Sequence, residues 1–463
     1  MARKIYENVT RVTAKTTEPV VSELENRGIN PEQIPFEIIS NVVKNPEVFA
    51  QRTEIREINI RPGITLTQDV YELGEDHFSN VYTLNLNSGF DAEIDIFDTE
   101  LFQHRIFKNK PTVIASINGG FFCLHDGDAN RYPKHIVYGA NIQNGKIYGL
   151  PAFNRPVLYV TKDGELHFKE VQAQGEFKIG DEIFSWLGAE EIAHNDELMK
   201  KYEDDISDKI LLFNSSCSSI VYKDKNSKAS LRVLDESRNH TPKNPNKADI
   251  IISNNSGVLT IQQIVLGGGV DYFEGDFILH IPKKIISKFQ IGKKLQILDI
   301  DGLDVNNLIS AISTGPQVKH FLDNDDHPIN HDTSLGTFPP FAPEARYARS
   351  VVYKTKDESI HLTVFDGVPR SQKMLGVTPR EVAKYINKIP DVKWAVFMDG
   401  GQSSRITFKK ENDTLDFRGN KQYLRLHKLD KKSQAPSVDG RYFWSARGRP
   451  VPSAITFKVS NKT

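Results

Sequence analysis

Three short segments carry residue types that could do chemistry. Ile117-Asn118-Gly119-Gly120-Phe121-Phe122 follows an apolar run, Val113 to Ile117. Its paired glycines let the backbone approach a ligand closely, and Asn118 could present an amide to that ligand. Phe365-Asp366-Gly367 ends a second apolar run. Phe397-Met398-Asp399-Gly400-Gly401-Gln402-Ser403-Ser404 ends a third, and places a carboxylate, two glycines and two hydroxyls at one sharp turn. Taken singly each is a tight turn, since Asp-Gly after a strand is ordinary hairpin chemistry. Gly267-Gly268-Gly269 reads as a glycine turn between strands in preference to an anion-binding nest.

Other chemistries are excluded by what is missing. There is no phosphate-binding Walker loop, no H-E-x-x-H, no G-x-S-x-G elbow and no C-x-x-C. Two cysteines, Cys123 and Cys217, allow neither a disulfide scaffold nor a cysteine zinc site. Cys123 reads as a packing residue. Lys plus Arg is 59 and Asp plus Glu is 60, giving a net charge of −1. A chain so balanced has no surplus of cations with which to coat nucleic acid. No run reaches the ~20 apolar residues of a membrane helix, so no membrane is expected as partner. Nor does an apolar stretch follow Met1-Ala2-Arg3-Lys4. The expectation is a cytoplasmic protein, with an extracellular one as the alternative if the chain is a trimmed piece.

The elements that must position these segments are mostly strands. β-rich runs are expected at Val81–Leu86, Ala92–Phe97, Val113–Ile117, Val157–Val160, Ile210–Phe213, Ile250–Ile252, Ile261–Val265 and Phe277–Ile281. Leu295–Leu298, Ser350–Tyr353, Ile360–Phe365, Trp394–Met398 and Ser453–Val459 complete the set. One helix is well marked, with Thr378 as N-cap, Pro379 at N1 and Glu381 at N3. Residues 1–55 read as short helices, a segment for packing or for assembling a homo-oligomer. Glu190–Asp208 reads as a charged surface insertion, and the proline-rich stretch Leu322–Ala345 as a long loop of the lid or binding type. The fold expected is α+β: one large sheet-rich domain over residues 56–463, preceded by the short N-terminal helical segment.

Together the segments resemble the phosphodiester glycosidase family. The family's N-G-G-F-F is matched by Asn118 to Phe122, and its G-G-P element by Ser313-Thr314-Gly315-Pro316. Its R-T-A is similar to Arg349-Ser350-Val351, its Asp-Gly strand end to Asp366-Gly367, and its D-G-G-G-S-S to Asp399 through Ser404. Its closing R-P-V-x-x-A-L corresponds to Arg449 through Ile455. The order is the family's. Gln402 stands where relatives carry the third glycine, and Ser350 and Val351 where they carry Thr and Ala.

The resemblance implies a hydrolase that cuts a sugar phosphodiester at the anomeric carbon, freeing the sugar and leaving a phosphomonoester. The family's best-known members act on N-acetylglucosamine. Partners would be a nucleotide sugar, a phosphoglycan or a similar molecule. A phosphate leaves as a stable anion, so the site must mainly hold it and support positive charge on the ring. On that chemistry Asp399 is expected at the anomeric carbon, Arg349 on the phosphate and Asp366 as a second carboxylate, base or orienting group, with Glu344 as a further acid/base candidate. Asn118, Gly119, Gly120, Gly400, Gly401, Gln402, Ser403, Ser404 and His125 are the substrate-binding candidates. No metal is required. Asp301, Asp366 and Asp399 are nevertheless oxygen ligands that Ca²⁺ or Mg²⁺ would accept. Two other readings stay open at this point: a non-catalytic glycan- or polymer-binding protein on the same scaffold, and a phosphodiesterase cutting the P–O bond.

Overall fold

The computed structural model describes residue 47 and residues 50–460, apart from 88, 102, 123–136, 138, 152–155, 189–207, 215–220, 224–230, 234–239, 272–273, 323–345, 369–370, 420–421, 430–435 and 446–450. Sheets dominate it. Among the described residues only two α-helices occur, Gln103–Asn109 and Pro379–Ile386. The α+β expectation is therefore corrected to a mostly-β fold. The physical reason lies in what covers the sheets. Most strand faces are buried against other strands, so few helices are needed to close the core. Of the expected N-terminal helical segment, residues 1–46 and 48–49 lie outside the described residues, and Gln51–Ile55 has no helix. The expected insertion at Glu190–Asp208 and loop at Leu322–Ala345 also fall almost wholly outside them.

Six strands form the sheet that carries most of the site. Their spatial order is Arg56–Arg61, Ile64–Gly74, His77–Leu86, Ile360–Phe365, Arg349–Thr355 and Val392–Phe397, with antiparallel pairing throughout. Arg349–Thr355 is buried at all seven positions. Its side chains alternate between two cores. Val352 joins Leu84, Leu362, Val364 and Val396 on one face. Val351 and Tyr353 join Phe365, Ala395 and Phe397 on the other. Burial on both faces explains why these strands read as continuous apolar runs.

The helix Pro379–Ile386 packs on the second face through Val382, Ala383 and Ile386. Its start is the capping box the sequence specifies. Thr378 Oγ1 accepts from the Glu381 amide at 3.2 Å, and Glu381 Oε2 accepts from the Thr378 amide at 2.8 Å. Arg346 reaches the same carboxylate with two nitrogens, at 2.6 and 2.8 Å. The first face packs on a five-stranded sheet ordered Leu415–Arg418, Ile406–Lys409, Val113–Asn118, Val451–Val459 and Phe90–Leu101.

A closed barrel interrupts the chain between these layers. Its seven strands run Gln174–Ile179, Glu182–Gly188, Leu211–Asn214, Phe277–Pro282, Lys247–Asn255, Val258–Leu266 and Lys294–Ile300 around the wall. Gln174–Ile179 pairs with Lys294–Ile300 to close it. Phe177, Trp186, Ile250, Ile261, Phe277 and Leu279 are among the residues of its core. A barrel of this size is filled by side chains and has no channel. The chain leaves a second five-stranded sheet after Leu166–Lys169 and returns to it at Leu308–Ser313, which pairs with Val157–Thr161. Gly267, Gly268 and Gly269 end a barrel strand with φ of 86°, 71° and 84°. A Cβ on Gly268 would lie 2.2 Å from the Pro242 carbonyl oxygen, so this turn admits nothing larger.

Candidate functional site

The dispersed motifs meet where strands end. Arg349 begins its strand opposite Phe365, the last residue of the neighbouring strand. Val351 pairs with Phe397, the last residue on the other side. Asp366 follows the first strand end directly and Asp399 follows the second after Met398, so antiparallel pairing brings both carboxylates and Arg349 to one end of the sheet. The five-stranded sheet contributes Asn118 at the end of its central strand. Ile117 pairs with Ile406, and Arg405 precedes that strand.

Asn118 joins the two sheets. Its side-chain nitrogen donates to the Asp399 carbonyl at 2.7 Å. Its side-chain oxygen accepts from Ser350 Oγ at 2.8 Å and from the Arg405 amide at 3.2 Å. The side chain is wholly buried. Asn118 thus holds protein groups in place, a different task from the substrate contact inferred for it. Main-chain bonds extend the junction: Asp399 N to Gly119 O, Met398 N to Ser350 O, Gly401 N to Ala348 O, and Gly119 N to Ser453 O. The Ser313-Thr314-Gly315-Pro316 segment docks beside them. Gly315 N donates to Phe397 O at 2.7 Å, and Phe397 N donates to Pro316 O at 3.1 Å.

Glycine is demanded at two of these contacts. A Cβ on Gly119 would lie 2.3 Å from Ser453 Oγ, and one on Gly120 would lie 2.2 Å from the Ser313 carbonyl oxygen. Both turns are glycine because neighbouring chain fills the space a side chain would need. Gly400 and Gly401 are different. They are half-buried, as is Gln402, and Gly401 has open space where a Cβ would be.

The charges sort into two buried groups. Arg349 is 5% exposed and Asp399 is 9% exposed. Burial lowers the Arg349 guanidinium to about 10, while Tyr347 and Asp399 act against that shift. It therefore stays a cation at neutral pH. Its Nε donates to the Val377 carbonyl at 3.4 Å, and its Cζ lies 5.3 Å from the centre of the Tyr347 ring. Arg405 is the second buried arginine. Burial lowers it to about 10 as well, and here Asp366 is the opposing charge. Asp366 is thus the acidic group that acts on Arg405, and Asp399 the one that acts on Arg349.

Neither Arg405 nor Tyr347 was singled out from sequence. A signal existed for Arg405: a lone cation immediately after Ser403-Ser404 and before the apolar run Ile406-Thr407-Phe408. Ser403 and Ser404 are buried, and their hydroxyls, like that of Ser453, make no hydrogen bond among the described residues. Leaving buried hydroxyls unpaired costs on the order of 1–3 kcal/mol each.

His125 and Glu344 lie outside the described residues, as does Cys123. The three aspartates weighed as metal ligands do not form one cluster in the described contacts. Asp301 sits in a barrel hairpin, where its carboxylate accepts from Gln172 N at 3.1 Å and Gln174 Nε2 at 2.8 Å. Among the described residues one group has metal-ligand spacing, Asp163, Glu165 and His167. It lies on a hairpin, with both carboxylates exposed.

The comparisons with known proteins follow this geometry. Residues 273–458 match the family model of the phosphodiester glycosidases. The resemblance read from the motifs holds over that segment, and the family it names is one of hydrolases. Arg349, Asp366 and Asp399 fall inside the matched residues, while Asn118 to Phe122 precede them.

Among solved structures, a hypothetical protein from Synechocystis matches with a TM-score of 0.51 and 14% identity. The alignment covers 89% of this chain and 65% of that one, so this chain spans about two thirds of that protein. This likeness concerns the fold. A putative exported protein from Burkholderia pseudomallei matches at 14% identity over 82% of this chain and 74% of its own, with a TM-score of 0.44. The zebrafish N-acetylglucosamine-1-phosphodiester alpha-N-acetylglucosaminidase catalytic domain, auto-inhibited by its pro-peptide, matches at 11% identity. It covers 89% of this chain and 88% of its own, with a TM-score of 0.37. Curated protein sequences give no match.

Proposed function

We propose that this protein hydrolyses a sugar-1-phosphodiester at the anomeric carbon, releasing the free sugar and a phosphomonoester. The observation that carries this reading is the Arg349–Asp399 pair at the joined strand ends. A buried guanidinium suits a phosphodiester, because its fork of donors matches two phosphate oxygens. A carboxylate beside it suits the ring, because positive charge develops on the sugar as the phosphate leaves. The half-buried Gly400-Gly401-Gln402 turn follows Asp399 and is open on the side a Gly401 Cβ would occupy. Asp399 acts at the anomeric carbon, Arg349 holds the phosphate, and Asp366 serves as an orienting charge. N-acetylglucosamine phosphodiesters, nucleotide sugars among them, are the first substrates to try.

The test is to incubate the full chain with a nucleotide sugar or an aryl sugar phosphodiester in isotope-labelled water. Label appearing in the free sugar supports cleavage at the anomeric carbon. Label appearing in the phosphate product would instead mark P–O cleavage by a phosphodiesterase. Binding with no sugar released would mark a glycan-binding protein on this scaffold.

A further inference from the structure

Asp366 is held by residues that come from far earlier in the chain. Its amide donates to the Asn80 carbonyl at 2.8 Å, and its own carbonyl accepts from Ser79 Oγ at 2.8 Å. Both main-chain polar groups of Asp366 are therefore fixed by one dipeptide. Asn80 is 2% exposed, and its side chain is spent on the segment that enters the fold. The side-chain oxygen accepts from Thr53 N at 2.9 Å, and the nitrogen donates to Gln51 O at 2.8 Å.

The same incoming segment also pins the loop that follows Asp366. Glu47 accepts from Ser371 Oγ at 2.9 Å and from the Gln372 amide. Ser371 Oγ in turn accepts from the amides of Lys373 and Met374, at 3.1 and 2.9 Å. Ala50 packs on Phe78, Val368 and Met374. Residue 47 and residues 50–54 thus form a strap fastened at two points, Asn80 before Asp366 and Ser371 after it. Glu47, Ala50, Gln51, Thr53 and Asn80 all lie outside the residues matched by the family, 273–458.

We propose that Asn80 and Glu47 are positioning residues of the site, which hold the Asp366 turn in place from both sides. The inference rests on the reading above that Asp366 takes part in the site. The family-matched segment alone would then be incomplete, because the strap completes the geometry from outside it. A glutamine at position 47 retains a side-chain oxygen acceptor, whereas alanine removes it, so the two substitutions separate the tether from mere occupancy of the position.

The experiment uses the full chain with Glu47→Ala, Glu47→Gln and Asn80→Ala, read by amide hydrogen exchange and by steady-state kinetics on the sugar phosphodiester. Glu47→Ala is expected to speed exchange over Asp366–Met374 by roughly tenfold while Val113–Asn118 stays unchanged. It is also expected to lower kcat by roughly tenfold with KM within about twofold, as a displaced group should. Glu47→Gln should stay near the parent in both readouts. Asn80→Ala should act in the same sense, and Glu47→Ala stands in for it if that variant does not fold. Unchanged exchange in Glu47→Ala would overturn the inference, as would faster exchange with unchanged kcat. Exchange reads the tether whether or not a phosphodiester is cleaved. An inactive parent would therefore strike the functional reading, and an unaltered loop would strike this one.

Discussion

The side-chain amide of Asn118 donates to the main-chain carbonyl of Asp399 at 2.7 Å, across 281 residues of sequence. This bond ties the carboxylate-bearing turn to the neighbouring sheet, while the Asn118 oxygen takes up Ser350 and Arg405 on either side. Removing the side chain would leave three protein groups unsatisfied in a buried place. Asn118→Ala should cost roughly 2–4 kcal/mol of stability. It should also lower turnover, because Asp399 is no longer fixed. Urea unfolding at neutral pH measures the first effect. A variant as stable as the parent would show that the junction is held by main-chain bonds alone.

The glycines of the two turns should behave oppositely. Gly120→Ala puts a Cβ 2.2 Å from a main-chain oxygen, which cannot swing away. It should destabilise by roughly 3 kcal/mol or more, or fail to fold. Gly401→Ala meets nothing within 4 Å, though its φ is 58°. Its cost should be about 1–2 kcal/mol, the ordinary penalty of a left-handed residue. Expression and thermal melting of both variants check the contrast.

The strands and the capped helix were legible because their signals are local. Ile360–Phe365 has the same bounds in the sequence reading and in the structure, and Thr378, Pro379 and Glu381 cap a helix as their types require. The turn at Asp399 was legible as a motif, and Gly119 and Gly120 as points of close approach, though what approaches them is neighbouring chain. Barrel closure was not, because the pairing of Gln174–Ile179 with Lys294–Ile300 depends on contacts far apart in sequence. The weight given to helix was misplaced for a related reason: strand faces are covered by other strands, and no local pattern reports what covers a face. Within the site, sequence placed Asn118 as a substrate ligand because an amide beside two glycines suits that task. Its actual partners, Asp399 O and Ser350 Oγ, are set by register and could not be read locally. The tie of the Asp366 main chain to Ser79 and Asn80 was hidden in the same way.

Acid should weaken the fold through half-buried histidines. Burial lowers His361 to about 4, with Asp357 acting weakly against it, and burial lowers His104 to about 4 as well. Both values lie below the ordinary 6.5, so the unfolded chain binds more protons between the two. Their contribution to stability is complete above pH 6.5 and is lost as pH falls through about 4. For His361, stacked on Tyr353 at 4.3 Å, the loss should be roughly 2–3 kcal/mol. Denaturation of the parent and of His361→Gln between pH 7 and pH 4 measures it. The variant should show the shallower fall, and equal slopes would contradict the assignment.

Arg349→Lys keeps a cation in the same burial but loses the planar fork. It should raise KM for a phosphodiester substrate roughly tenfold or more, with a smaller effect on kcat. Steady-state kinetics of parent and variant on one sugar phosphodiester provide the check. An unchanged KM would place the phosphate elsewhere.

The central claim is that Asp399 works at the anomeric carbon. The most direct measurement is the turnover of Asp399→Asn on a sugar phosphodiester that the parent cleaves. Asparagine suits the turn as well as aspartate does, and the main-chain bonds of position 399 to Gly119 and Asn118 are untouched by the change. The account predicts a folded protein that still binds substrate and loses roughly 10²–10⁴-fold in kcat. Near-normal turnover by Asp399→Asn would contradict it, and would reduce the aspartate to a cap on a glycine turn.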